Sequence, residues 1–90
     1  MKKKIAILGS TGSIGQSTLN VIKKDKRNFE IILLTANTNY KKLIKQAKEF
    51  KASNVLICDK RFYQKVKQSL KKNKTKVFTG KTPLSKILSK

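Results

Sequence analysis

Lys4-Ile5-Ala6-Ile7-Leu8 runs directly into Gly9-Ser10-Thr11-Gly12-Ser13-Ile14-Gly15, and this junction decides the fold. A short apolar run stopped by glycine reads as a buried parallel strand. A helical pattern follows, with Ile14, Thr18, Val21 and Ile22 at i, i+4, i+7 and i+8 as its expected inward face. Lys23, Lys24 and Lys26 near its end suit the negative end of the helix dipole. The glycines at 9, 12 and 15 each have a place in a strand-to-helix turn. Gly9 can take a conformation closed to residues with a β-carbon. Gly12 lets the backbone approach a pyrophosphate, and Gly15 lets the helix pack close to the strand. The first helical amides would face the phosphates, with the hydroxyls of Ser10, Thr11 and Ser13 beside them. No Gly-Lys-Ser/Thr ending is present, which excludes a nucleoside-triphosphate P-loop.

The same alternation continues outward from the loop. Phe29–Ala36 reads as a second buried strand, and Asn37-Thr38-Asn39 as a polar turn. Tyr40, Leu43, Ile44, Ala47 and Phe50 mark an amphipathic helix. Val55-Leu56-Ile57-Cys58 is a third strand, and Asp59 an N-cap for a helix facing inward with Phe62, Tyr63, Val66 and Leu70. Thr75–Thr79 is a shorter, less apolar fourth strand. Thr82-Pro83 then opens a last helix carrying Leu84, Ile87 and Leu88. Four strand–helix units predict an α/β fold: a Rossmann-like parallel sheet with helices on both faces and strand order 3-2-1-4. A full doubly wound domain has a second half. Residues 1–90 are therefore expected to be the N-terminal portion of an NADP-binding Rossmann-like domain, with catalytic and C-terminal domains absent.

Composition narrows the functions. The chain has 90 residues, 38% of them hydrophobic, which suits one modest core. No apolar run approaches the roughly 18 residues of a membrane span, and none fits a secretory signal. The lone Cys58 excludes an internal disulfide. With no histidine and four acids, Asp25, Glu30, Glu49 and Asp59, neither a metal site nor a catalytic residue is expected in this chain. The acids read as structural. Tyr40 and Tyr63 read as core residues, and Cys58 as a buried inert thiol. The net charge of +19 invites a nucleic-acid reading. However, only Arg27 and Arg61 are arginine, and the lysines are spread over the whole chain. A solvated lysine surface that attracts anionic ligands accounts for the charge.

The end of the second strand bears on cofactor choice. NAD-binding folds place a carboxylate there for the ribose 2′-hydroxyl. This sequence has Thr35-Ala36-Asn37-Thr38-Asn39, with Lys41 and Lys42 next to it. Amides and hydroxyls can donate to a 2′-phosphate that a carboxylate would repel, so the segment favours NADP. Asn37 and Asn39 also suit turn and N-cap roles.

The glycine loop, continued by Gln16-Ser17-Thr18-Leu19-Asn20-Val21-Ile22, resembles the N-terminus of 1-deoxy-D-xylulose 5-phosphate reductoisomerases. Leu34–Asn39 and the Gln46–Phe50 helix end are similar to the same family, and the strong likeness covers residues 4 to 59. The resemblance implies an NADPH-dependent conversion of 1-deoxy-D-xylulose 5-phosphate to 2-C-methyl-D-erythritol 4-phosphate in non-mevalonate isoprenoid biosynthesis. It implies magnesium or manganese in the full-length family, and a homodimeric, cytoplasmic parent. By the same resemblance Thr11, Gly12, Ser13 and Ile14 would cradle the pyrophosphate, and Asn37, Thr38 and Asn39 would lie at the adenosine ribose phosphate. Many members have Gly-Lys where this chain has Asn37-Thr38. The family's metal carboxylates, substrate-phosphate residues and catalytic loop lie beyond the matched region, so this chain is expected to be catalytically incomplete by itself. Two alternatives remain open at this stage. One is a stand-alone basic module that binds nucleic acid non-specifically; the other is a fragment of a different NADP-dependent oxidoreductase.

Overall fold

The computed structural model describes residues 2–80 and 82–88. Strands and helices alternate as the patterning predicts: β1 Lys3–Ile7, α1 Ser13–Lys23, β2 Phe29–Ala36, α2 Tyr40–Phe50, β3 Asn54–Ile57, α3 Tyr63–Ser69, β4 Lys76–Thr79 and α4 Leu84–Leu88. All strand pairs are parallel.

The sheet order is β1-β2-β3-β4, which corrects the expected 3-2-1-4. The fourth strand lies outside β3 instead of beyond β1. A ring stack holds the chain there. Phe62, at the entry to α3, packs on Tyr40 of α2 with centroids 4.5 Å apart. This keeps the third crossover on the face already used by α1 and α2, and a right-handed step from that face lands β4 next to β3. Side chains then fasten the strand: Thr75 Oγ1 donates to the Ala52 carbonyl at 2.8 Å and Thr79 Oγ1 to the Ile57 carbonyl at 2.7 Å.

Helices cover both faces of the sheet, but unequally. Leu19 and Ile22 of α1, Leu43 and Ala47 of α2, Val66 of α3 and Leu70 just after it form one core with Ile7, Ile31, Leu34, Ala36, Val55 and Ile57. On the other face Ile87 of α4 closes over Leu33, Leu56 and Phe78. One irregularity sorts these residues. Ile5 of β1 pairs with Ile31, but Ala6 pairs with Leu33, so Ile32 is an extra residue in β2. Such a bulge reverses side-chain parity. It lets Ile31 and Leu34 serve the main core while Leu33 points to the other face. Asn54 Nδ2 donates to the Ile32 carbonyl at 2.7 Å and so satisfies the bulged position.

The inward face of α1 differs from the expected one. Gly15, Leu19 and Ile22 are buried, whereas Ile14 and Val21 are exposed. The helix lies so close to the loop that a residue without a side chain takes the innermost position, and this turns the apolar stripe. Leu8, read as the end of the first strand, lies past β1 and is also exposed.

Candidate functional site

The β1–α1 loop, the β2–α2 loop and the end of β3 meet at the carboxyl ends of the strands, where open α/β sheets place their ligands. The glycine loop begins with Gly9 at φ +73°, a left-handed conformation that favours glycine. β2 clamps it. The Gly9 amide donates to Thr35 Oγ1 and the Ser10 amide to the Thr35 carbonyl, both at 2.8 Å. The Gly12 amide closes the turn on the Gly9 carbonyl at 3.1 Å, and Gln16 Nε2 donates to the Thr11 carbonyl at 2.8 Å.

Each glycine has its own reason to be there. A β-carbon at Gly15 would stand 2.5 Å from the Gly9 carbonyl oxygen and 2.6 Å from Ser10 Cα, so helix and loop could not approach as they do. A β-carbon at Gly12 would meet only the Gly9 oxygen, at an ordinary 3.5 Å. Among the described residues nothing demands glycine at 12, and the position is exposed. Gly12 is the N-cap of α1 and offers no side-chain cap, and the first turn carries no acid. The first intrahelical bond there is from the Gln16 amide to the Gly12 carbonyl. The amides before it are left to an outside acceptor, at the positive end of the helix. This arrangement fits a diphosphate.

The candidate residues Thr11, Gly12, Ser13 and Ile14 line this cradle, Thr11 half-buried and the other three exposed. Asn37, Thr38 and Asn39 are exposed on the neighbouring loop. Asn39 caps α2, its Oδ1 accepting from the Lys42 amide at 3.2 Å. Asn37 and Thr38 are bonded through their carbonyls, to the amides of Asp59 and Tyr40. The side chains of Asn37 and Thr38 thus face outward beside the cradle, and Asn39 has taken the capping role.

Three of the four acids are occupied elsewhere. Asp25 binds the Asn28 amide group, Glu49 pairs with Lys23 at 2.9 Å, and Asp59 with Arg61 at 2.7 Å. The Lys23 hydrogen bond holds the Glu49 carboxyl below its ordinary range, and Arg61 does the same for Asp59. Both therefore give up their charge at a lower pH than an unpaired carboxylate does. Among the described residues no three His, Cys, Asp or Glu gather as a metal site would require. The residues present do not fit a divalent metal. Tyr40 and Tyr63 pack against the main core, as read from the sequence. Cys58 does not follow its expectation: β3 ends at Ile57, and the thiol is exposed just past it.

Sequence reasoning missed Gln46. It sits among the apolar positions of α2, buried between Leu43 and Ala47, and bonds Ser10 of the loop. The signal was available: at i+3 from Leu43 and i−4 from Phe50, residue 46 lies on the inward stripe.

The family model of 1-deoxy-D-xylulose 5-phosphate reductoisomerase matches residues 5–90. The reductoisomerase of Pelagibacter ubique is 53% identical over 87 residues, 97% of this chain and 22% of that protein. That of Thermoanaerobacter sp. is 45% identical over 86 residues, again 22% of its length. This chain thus spans about a fifth of the relatives it matches. Among solved structures, the Zymomonas mobilis reductoisomerase in complex with NADPH is similar with a TM-score of 0.86 and 35% identity. The likeness covers 89% of this chain and 21% of that one. A reductoisomerase in complex with NADPH, fosmidomycin and magnesium is similar with a TM-score of 0.81 and 31% identity, over 88% of this chain and 20% of that one.

Proposed function

This chain belongs to the 1-deoxy-D-xylulose 5-phosphate reductoisomerase family, and from that premise we propose that it is the NADPH-binding part of such an enzyme. Residues 1–90 then form the N-terminal portion of an NADP-binding domain. The observation that carries the reading is the uncapped, acid-free start of α1 behind a clamped glycine turn. Thr11, Gly12, Ser13 and Ile14 cradle the pyrophosphate, with the amides of Thr11, Ser13 and Ile14 as donors, and Asn37, Thr38 and Asn39 lie at the ribose 2′-phosphate, Asn39 while also capping α2. Bound NADPH supplies the hydride. This chain contributes binding and orientation, and the parent enzyme would convert 1-deoxy-D-xylulose 5-phosphate to 2-C-methyl-D-erythritol 4-phosphate. A homodimeric, cytoplasmic parent is part of the same proposal. Among the described residues no helix is long and apolar enough to cross a membrane. The family match over residues 5–90 displaces both the nucleic-acid module and the unrelated oxidoreductase.

Calorimetric titration of the chain with NADPH tests this reading. Saturable binding is expected, and binding of duplex DNA with no NADPH response would overturn it. Cofactor choice gives a finer test. Asn37→Asp brings a carboxylate to the proposed 2′-phosphate contact. NADPH affinity should fall by about tenfold through like-charge repulsion, with NADH little affected. An unchanged ratio of the two affinities would mean that Asn37 does not face the ribose.

The proposal also predicts what the chain lacks. Given 1-deoxy-D-xylulose 5-phosphate, magnesium and NADPH, residues 1–90 alone should show no substrate-dependent loss of nicotinamide absorbance. The reaction needs a metal held by carboxylates and a closed site, and the paired acids of this chain offer neither. Turnover above that of a Gly12→Val control would refute the assignment to binding alone.

A further inference from the structure

Ser10 and Gln46 are the buried polar residues of the described chain, Ser10 fully and Gln46 with 8% exposure. They bond each other twice. Gln46 Nε2 donates to the Ser10 carbonyl at 2.9 Å, and Ser10 Oγ donates to Gln46 Oε1 at 2.8 Å. A closed pair of this kind fixes the Ser10 carbonyl in direction, because turning it would strand buried polar atoms. The Ser10–Thr11 peptide is planar and trans, so its N–H points opposite to its C=O. With the carbonyl held inward by α2, the Thr11 amide is turned outward, toward the space in front of Gly12. It donates to no group among the described residues.

We infer that Gln46 is a positioning residue for the cofactor: it sets the Ser10–Thr11 peptide so that the Thr11 amide is aimed at the pyrophosphate. This inference rests on the NADPH-binding reading above. It adds a link between the two halves of the site. Asn39 caps α2 beside the proposed ribose-phosphate contact, and Gln46 follows seven residues later, about 10 Å along the same helix. One rigid element thus holds both the loop at the ribose and the peptide at the pyrophosphate.

The test uses the full 90-residue chain, Gln46→Leu, and two probes. NADPH spans both subsites, whereas adenosine 2′-monophosphate has no pyrophosphate and reaches only the ribose-phosphate side. Gln46→Leu should weaken NADPH by about tenfold, as expected for loss of a buried hydrogen-bonded pair, and leave adenosine 2′-monophosphate within about twofold. In the unsubstituted chain the Thr11 amide nitrogen resonance should move on adding NADPH, and this response should shrink in the variant. Gln46→Leu takes the donor from the Ser10 carbonyl and leaves the Ser10 hydroxyl only its longer 3.3 Å bond to the Thr35 carbonyl, and so costs stability. The double variant Gln46→Leu/Ser10→Ala removes that hydroxyl, and should regain melting temperature without regaining NADPH affinity. Equal loss of both probes would make Gln46 a structural residue only, and unchanged NADPH affinity would remove the inference while leaving the binding reading in place. Failure of the unsubstituted chain to bind NADPH would overturn the binding reading and the inference with it.

Discussion

Gly15→Ala should lower the melting temperature of this chain by on the order of 15 °C. The added carbon would lie 2.5 Å from the Gly9 carbonyl oxygen and 2.6 and 2.8 Å from Ser10 backbone atoms. None of these is the end of a flexible side chain. Gly9 and Ser10 are fastened to Thr35 of β2, and Ser10 also to Gln46 of α2, so the loop cannot retreat. The helix must move instead, which withdraws Leu19 and Ile22 from the main core. Overpacking of this kind costs about 3 kcal/mol, and each kcal/mol is worth roughly 4–8 °C in a domain of this size. Thermal unfolding followed by circular dichroism reads the result. A variant that melts with the parent would mean that α1 and the loop are not packed as described.

Gly12→Val should do the opposite: keep the fold and lose the cofactor. Gly12 has φ −79° and ψ 174°, an extended conformation open to any residue. Its β-carbon would make one ordinary contact. Helix content should therefore hold, with melting lowered only by a poorer N-cap. The branched side chain stands where a diphosphate must come close to backbone, and NADPH affinity should fall by about tenfold or more. Calorimetry on the two glycine variants side by side separates the glycine that builds the loop from the glycine that faces the ligand. Full NADPH affinity in Gly12→Val would remove the cradle reading.

These two positions also show what was legible beforehand. The spacing of Gly9, Gly12 and Gly15 between an apolar run and a helix is a local pattern, and it announced both the α/β alternation and the place of the site. The position of β4 was not legible. Orders 3-2-1-4 and 1-2-3-4 obey the same local patterning, and the choice between them rests on contacts across the chain, such as Tyr40 against Phe62 and Thr79 against the Ile57 carbonyl. The inward face of α1 was misread for a related reason. Glycine carries no hydropathy signal, so the stripe was drawn through Ile14 and Val21 when Gly15 marked it. The bulge at Ile32 was hidden because a strand buried on both faces shows no alternation. Gln46 was overlooked because its partner is a backbone carbonyl of a loop 36 residues away. Cys58 was read as strand interior, and β3 proved one residue shorter.

Within the described residues β1 and β4 are the two rims of the sheet, each with a row of backbone groups that could template another chain. Exposed lysines guard both, Lys3 and Lys4 along one and Lys74 and Lys76 along the other. Two copies meeting rim to rim would bring ammonium groups together across a strand spacing of about 4.8 Å, well inside the roughly 8 Å over which physiological salt still lets charges repel. For residues 1–90 on their own, the surplus of lysine would thus act as a colloidal safeguard against polymerisation. Concentrated salt or a polyanion screens it and leaves two open strand edges to find each other.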